Sequence, residues 1–253
     1  MLRARIIPCL LVHKKGLVKT VKFKNPKYVG DPLNAVKIFN EKEADELMVL
    51  DIDATVENRE PDYKMIEHLA SECRMPLCYG GGIKTTKQAQ RVFNLGVEKI
   101  ALSSAVINNP SLVTKIAEQV GAQSVVVVLD IKKKLLGGYV NYIENGKRKT
   151  KVNLNKFIVQ LQKLGVGEIV INSIDQDGVM QGYDTDLINK IKPLINVPLT
   201  VLGGAGSLDN IAELIQEHRI IGAAAGSLFV FKGKYKAVLI NYPDYNIKNK
   251  LFS

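Results

Sequence analysis

Five aspartates stand where short apolar runs give way to polar sequence: Asp51, Asp53, Asp130, Asp175 and Asp177. A carboxylate placed there can act as a general acid or base if burial lifts its pKa toward neutrality. Asp130 suits this best, because Val125 to Leu129 before it are all apolar and carry it out of a core. Asp53 and Asp175 suit a plainer task, holding a loop or capping a helix. Lys19 lies in a long lysine-rich connection, from which it can fold over a bound anion or simply stay solvated. Asp130, Lys19 and Asp177 are thus the candidate catalytic residues.

Two glycine clusters complete the chemistry. Gly80-Gly81-Gly82 and Gly203-Gly204-Ala205-Gly206 remove side chains where a backbone would meet a ligand, and each precedes a helical pattern. Unsatisfied amides at a helix start accept phosphate, although tight turns also call for glycine. Ser103-Ser104 and Gly226-Ser227 end the next apolar runs and add hydroxyls and amides. One candidate phosphate cup therefore comprises Gly81, Gly82, Ser103 and Ser104, and the other Gly178, Gly203, Gly204, Gly226 and Ser227. Two cups imply a small ligand with a phosphate at each end.

These motifs recur about 122 residues apart, so the chain reads as two copies of one plan joined head to tail. In that alignment Ile6–Leu11 answers to Val125–Asp130, and the copy of Asp130 is Leu11. Eight short β-branched runs, near 5–11, 47–52, 76–79, 99–102, 124–130, 168–172, 198–202 and 220–225, alternate with helical patterns. The helices are placed near 32–43, 62–73, 86–95, 110–120, 154–164, 184–194 and 208–217, with a short one after Gly233. Eight βα units predict an α/β fold, a single (β/α)8 TIM barrel with pseudo-twofold half-barrels, over 1–253. Two connections are too long to be idle: 12–31, read as a loop, and 131–151, where Asn145-Gly146 signals a type I′ hairpin.

At the other end of the strands, Arg5, Glu46, Lys99 and Glu168 begin four of the runs and would form a charged ring, by default a device for stability. The net charge of +10 comes from lysines that look dispersed along the sequence, without the aromatic interleaving of a nucleic-acid binder. No apolar run approaches the roughly 20 residues that span a bilayer, and no secretion signal is evident. Neither a nucleic-acid nor a membrane partner is expected, and the location is expected to be cytoplasmic. Cys9, Cys73 and Cys78 lack metal-ligand spacing, and no metal or organic cofactor is indicated.

Along nearly its whole length the sequence resembles the cyclase subunit of imidazole glycerol phosphate synthase, a HisA/HisF-like barrel. The resemblance rests on Gly30-Asp31-Pro32, Gly80-Gly81-Gly82-Ile83, Asn109-Pro110-Ser111-Leu112, Asp175-Gln176-Asp177-Gly178, Gly182-Tyr183-Asp184 and Gly203-Gly204-Ala205-Gly206, in the family's order. It implies a glutaminase (HisH-like) partner on the bottom face. It also recasts Arg5, Glu46, Lys99 and Glu168 as an ammonia gate. The family places an aspartate where this chain has Leu11, and its phosphate sites read differently from Ser103-Ser104 and Gly226-Ser227. Val18–Lys24, Cys78-Tyr79 and Gly226–Phe231 look closer to divergent paralogues of bacterial surface-polysaccharide loci.

The leading expectation is accordingly an ammonia-using synthase subunit of a two-component glutamine amidotransferase, forming an acetamidino group on a sugar nucleotide. The alternative is the imidazole glycerol phosphate synthase cyclase subunit of histidine biosynthesis. A third reading, a scaffold that only activates its glutaminase, sits poorly with Asp130, Asp177 and both glycine cups.

Overall fold

Helix starts along the chain are fixed by side chains that cap free amides, and the caps repeat with the sequence. Asp31 and Asn153, Asp62 and Asp184, and Thr85 and Ser207 each accept from the backbone N–H three residues on. Thr85 and Ser207 both sit in capping boxes, with Gln88 and Asn210 as reciprocal partners. The helices they start, at Pro32–Glu41, Tyr63–Glu72, Thr86–Asn94, Leu154–Lys163, Thr185–Ile191 and Leu208–His218, alternate with strands, and Ser111–Val120 adds another. The duplication seen in the sequence is thus present in the local physics of each half.

The structure is a computed structural model that describes residues 3–252. Eight parallel strands close into a barrel: β1 (Arg5–His13), β2 (Leu47–Asp51), β3 (Leu77–Gly80), β4 (Lys99–Leu102), β5 (Val125–Lys133), β6 (Glu168–Ser173), β7 (Leu199–Leu202) and β8 (Gly222–Ala225). Pairing of β8 with β1, Arg5 opposite Gly222, and of β5 with β6 completes the ring. The larger core lies between strands and helices. A smaller one, with Ile7, Cys9, Met48, Cys78, Val126, Val128, Val170 and Leu202, fills the barrel's inside. Buried strands of this kind carry apolar residues on both faces, which explains their unbroken hydrophobic runs.

Two sequence expectations change and one holds. Residues 12–31 are not a loop: β1 runs on to His13 and is followed by an antiparallel hairpin, Gly16–Val21 with Lys24–Gly30. Its turns use Lys14, Lys15, Lys22 and Phe23 at positive φ, a conformation that hid the turns behind residues other than glycine. The hairpin expected around Asn145-Gly146 is present, pairing Tyr139–Ile143 with Arg148–Lys149. Its turn is of type I′, with positive φ at Asn145 and Gly146 and the Lys147 N–H bonded to the Glu144 carbonyl. The short helix placed after Gly233 is instead a two-stranded hairpin, Phe231–Lys232 with Ala237–Val238, because Gly233 and Lys236 turn the chain at positive φ. A helix forms later, at Tyr245–Phe252, where the Asp244 side chain accepts from the Ile247 amide.

Candidate active site

The mouth at the C-terminal ends of the strands gathers every candidate assigned to it from sequence. Lys19, Asp130, Asp177, both glycine clusters, Ser103, Ser104, Gly178, Gly226 and Ser227 line one cavity, together with Leu11, Phe23, Leu50 and Asn172. β5 carries Asp130 opposite Asn172 of β6, and the Asn172 amide donates to Asp130 Oδ1 at 2.9 Å. Burial pushes the Asp130 carboxyl up to about 7; the Asp177 charge adds to this and the Asn172 hydrogen bond opposes it. A carboxyl balanced near neutrality can both take and return a proton.

Lys19 is not on a mobile loop. It lies in the strand Gly16–Val21, is buried, and donates through Nζ to the Cys9 carbonyl at 2.5 Å. Burial lowers its pKa, while the Asp177 charge pulls the other way. Burial raises the Cys9 thiol to about 11; the Lys19 charge opposes this, and the Asp177 and Asp130 charges add to it. Asp177 serves a holding role as well: its Oδ2 accepts from the Thr20 hydroxyl at 2.7 Å and from the Phe23 amide at 3.1 Å. The first hairpin is thereby latched across the mouth onto the opposite half. Its Phe23 ring comes to rest against Gly146 of the second hairpin.

Asp51, Asp53 and Asp175 hold backbone. Asp51 accepts from the amides of Asp53 and Ala54, Asp53 from the Lys14 amide, and Asp175 from the Lys133 amide. Lys14 and Lys133 stand three residues beyond Leu11 and Asp130, so the two halves use the same brace.

At the first glycine cluster, Gly81 and Gly82 have positive φ, and a side chain at either would collide with the Asp51 or Arg59 backbone. The Ser103 hydroxyl beside them is buried without a hydrogen-bond partner, and Ser104 Oγ accepts from the Glu144 amide. In the second cluster Gly203 and Gly204 again have positive φ, and Gly226 faces Lys19 Nζ so closely that a side chain there would displace it. The arrangement offers amides, hydroxyls and one cation to an anion on each side of Asp130.

At the opposite end the charged ring is closed. Arg5 reaches Glu46 at 2.5 Å and Glu168 at 2.8 Å, and Lys99 reaches Glu46 at 2.9 Å and Glu168 at 3.0 Å. The Thr200 hydroxyl, not singled out from sequence, adds a hydrogen bond to Glu168. Burial alone would raise the Glu168 pKa, but Arg5 and Lys99 hold it below the usual carboxylate range. Both carboxylates are nearly fully buried, so the ring persists only because each charge has two partners.

A model of the histidine biosynthesis protein family matches residues 5–236. The chain belongs to this family. A Vibrio vulnificus protein with the provisional name imidazole glycerol phosphate synthase subunit hisF3 is 64% identical over 251 residues, covering 99% of this chain and 96% of that protein. A Leptospira borgpetersenii protein with the provisional name imidazole glycerol phosphate synthase subunit HisF is 57% identical over 253 residues, covering 100% of both. The imidazole glycerol phosphate synthase subunit HisF of Streptococcus mutans is 37% identical over 229 residues, covering 90% of this chain and 91% of it. These names speak for the histidine-type reading over the sugar-amidination reading that the sequence put first. The family barrel here carries Leu11 and Leu50 at the register positions that in the second half hold Asp130 and Asn172.

Proposed function

We propose that this chain is the synthase subunit of a HisF-type glutamine amidotransferase, using ammonia made by a glutaminase partner to convert a phosphorylated small molecule. The observation that carries the proposal is Asp130, with its carboxyl near neutrality between two anion cups in one mouth. In this reading Asp130 and Lys19 move protons, Asp177 positions the first hairpin, and the cups hold phosphate. Arg5, Glu46, Lys99 and Glu168 form the gate by which ammonia enters from a bottom-face partner. Residues 1–253 act as one cytoplasmic domain.

The relatives' names favour imidazole glycerol phosphate synthase as the activity. One observation favours a second reading, amidination of a sugar nucleotide: Leu11 supplies no proton where the resemblance implies an acid/base aspartate. The test offers the purified chain with ammonium salt either the bisphosphorylated ribonucleotide of the histidine pathway or an N-acetylated sugar nucleotide. Formation of the imidazole product establishes the first reading. Ammonia-dependent conversion of the sugar nucleotide alone establishes the second, and conversion of neither removes the proposal.

A further inference from the structure

The chain's positive charge is less dispersed in space than along the sequence. Residues 14–30 and 228–243 hold nine lysines and no aspartate or glutamate, against a net charge of +10 for the whole chain, so the rest of the molecule is nearly balanced. The fold brings these two segments together beside the mouth. Lys27 Nζ stands over the Phe231 ring at 5.3 Å, and Lys19 of the same hairpin meets the Gly226 turn at the end of β8. Lys22, Lys24, Lys27, Lys232, Lys234 and Lys236 are all exposed. Lys15, in the first segment, pairs with Asp62, and the ion pairs of Lys37, Lys99, Lys133 and Lys248 lie outside both segments.

The same two hairpins expose apolar and aromatic side chains. Tyr235 at the turn is 91% exposed and Tyr28 is 67% exposed, and Val21, Val238 and Leu239 are about half exposed. Exposed lysines around projecting tyrosines and aliphatic residues match an acidic lipid surface: the lysines meet headgroup phosphates, and tyrosine settles at the interface. A single-stranded nucleic acid would use the charge and the tyrosines but leave the aliphatic residues without purpose. We infer that these paired hairpins dock the protein on membranes rich in acidic phospholipid, with the mouth facing along the bilayer. The absence of a spanning segment concerns crossing a membrane, not adhering to one.

Co-sedimentation of the full-length chain with phosphatidylcholine vesicles, with and without roughly a third of phosphatidylglycerol, tests this at about 50 and about 300 mM salt. Binding is expected only to the acidic vesicles, weakening with salt. The triple variant Lys232→Glu, Lys234→Glu, Lys236→Glu, checked by its thermal melt, is expected to bind at least ~100-fold more weakly. Tyr235→Ser is expected to weaken binding by about tenfold at both salt concentrations. Lys132→Glu, Lys133→Glu, Lys134→Glu, which changes the net charge equally but in the other half-barrel, is expected to bind nearly as the native chain does. No binding at low salt, equal binding to neutral vesicles, or equal loss from the two triple variants would overturn the inference. So would an oligonucleotide that bound well while acidic vesicles did not.

Discussion

Leu11 and Leu50 occupy in the first half-barrel the register pair that Asp130 and Asn172 occupy in the second. Backbone, brace and neighbouring glycine turn are the same, yet one pair packs on the barrel's inner apolar core and the other forms a buried hydrogen bond. A duplicated scaffold thus holds position constant while chemistry varies. What distinguishes the halves is the cost of desolvation: a carboxylate is kept at Asp130 despite its burial, which is the cause of its raised pKa. The first half contributes the hairpin bearing Lys19, and the second contributes the titrating carboxyl of Asp130 with its amide partner Asn172.

The sharpest break of this contrast is a matched pair of substitutions. Asp130→Asn is expected to lower ammonium-supported turnover by roughly 100- to 10,000-fold, whereas Leu11→Asn, at the mirrored position, lowers it by less than about tenfold. Similar losses in a steady-state assay would show that the halves are not chemically divided. The native pH–rate profile should inflect near 7, the raised pKa of Asp130, and the Asp130→Asn variant should lack that inflection.

Asn172→Leu makes the second half resemble the first. Because the Asn172 hydrogen bond opposes the rise in the Asp130 pKa, its loss should move the inflection to higher pH and cost about tenfold at pH 7. An unmoved inflection would deny the pair its coupling. Stability should respond in the opposite sense to activity. With its folded-state pKa raised, Asp130 leaves stability intact below the ordinary carboxylate range and erodes it as pH climbs through about 7. Asp130→Asn is therefore expected to melt several degrees higher than the native chain at about pH 8, with little difference at about pH 4, by calorimetry. Smallest should be Thr20→Val, which removes one hydrogen bond from the Asp177 latch and is expected to cost roughly 1 kcal/mol in denaturant unfolding.

The barrel strands were legible because they bury both faces, and their apolar runs end within a few residues of the observed strands. The helices were legible through their amphipathic patterns, which the observed helices follow. The hairpin at 16–30 was not, since Val18 to Lys24 alternates apolar and basic residues that suit either a strand or a solvated loop until β1 offers an edge to pair with. For the same reason Lys19 looked solvated: its burial depends on Gly226 and Cys9, more than two hundred residues apart in sequence. Asn172 could have been found by extending the 122-residue comparison from Leu50, which places an amide beside Asp130. Thr200 gave no such signal, because only barrel closure brings it to Glu168.

The latch and the roof above the mouth also bear on how the chain can vary through inheritance. A side chain at Gly178 would collide with the Thr20 carbonyl, a backbone group that cannot retreat, whereas one at Gly146 would meet only the Phe23 ring, which can turn aside. Change at 178 is therefore closed whatever residue 20 becomes, while at 146 a smaller residue 23 would open space but the positive φ of the turn still favours glycine. A half-barrel exchanged with that of a relative would carry one member of each contact and leave the other behind. Recombination between duplicated halves, easy at the level of strands, is thus policed by two small meetings above the barrel.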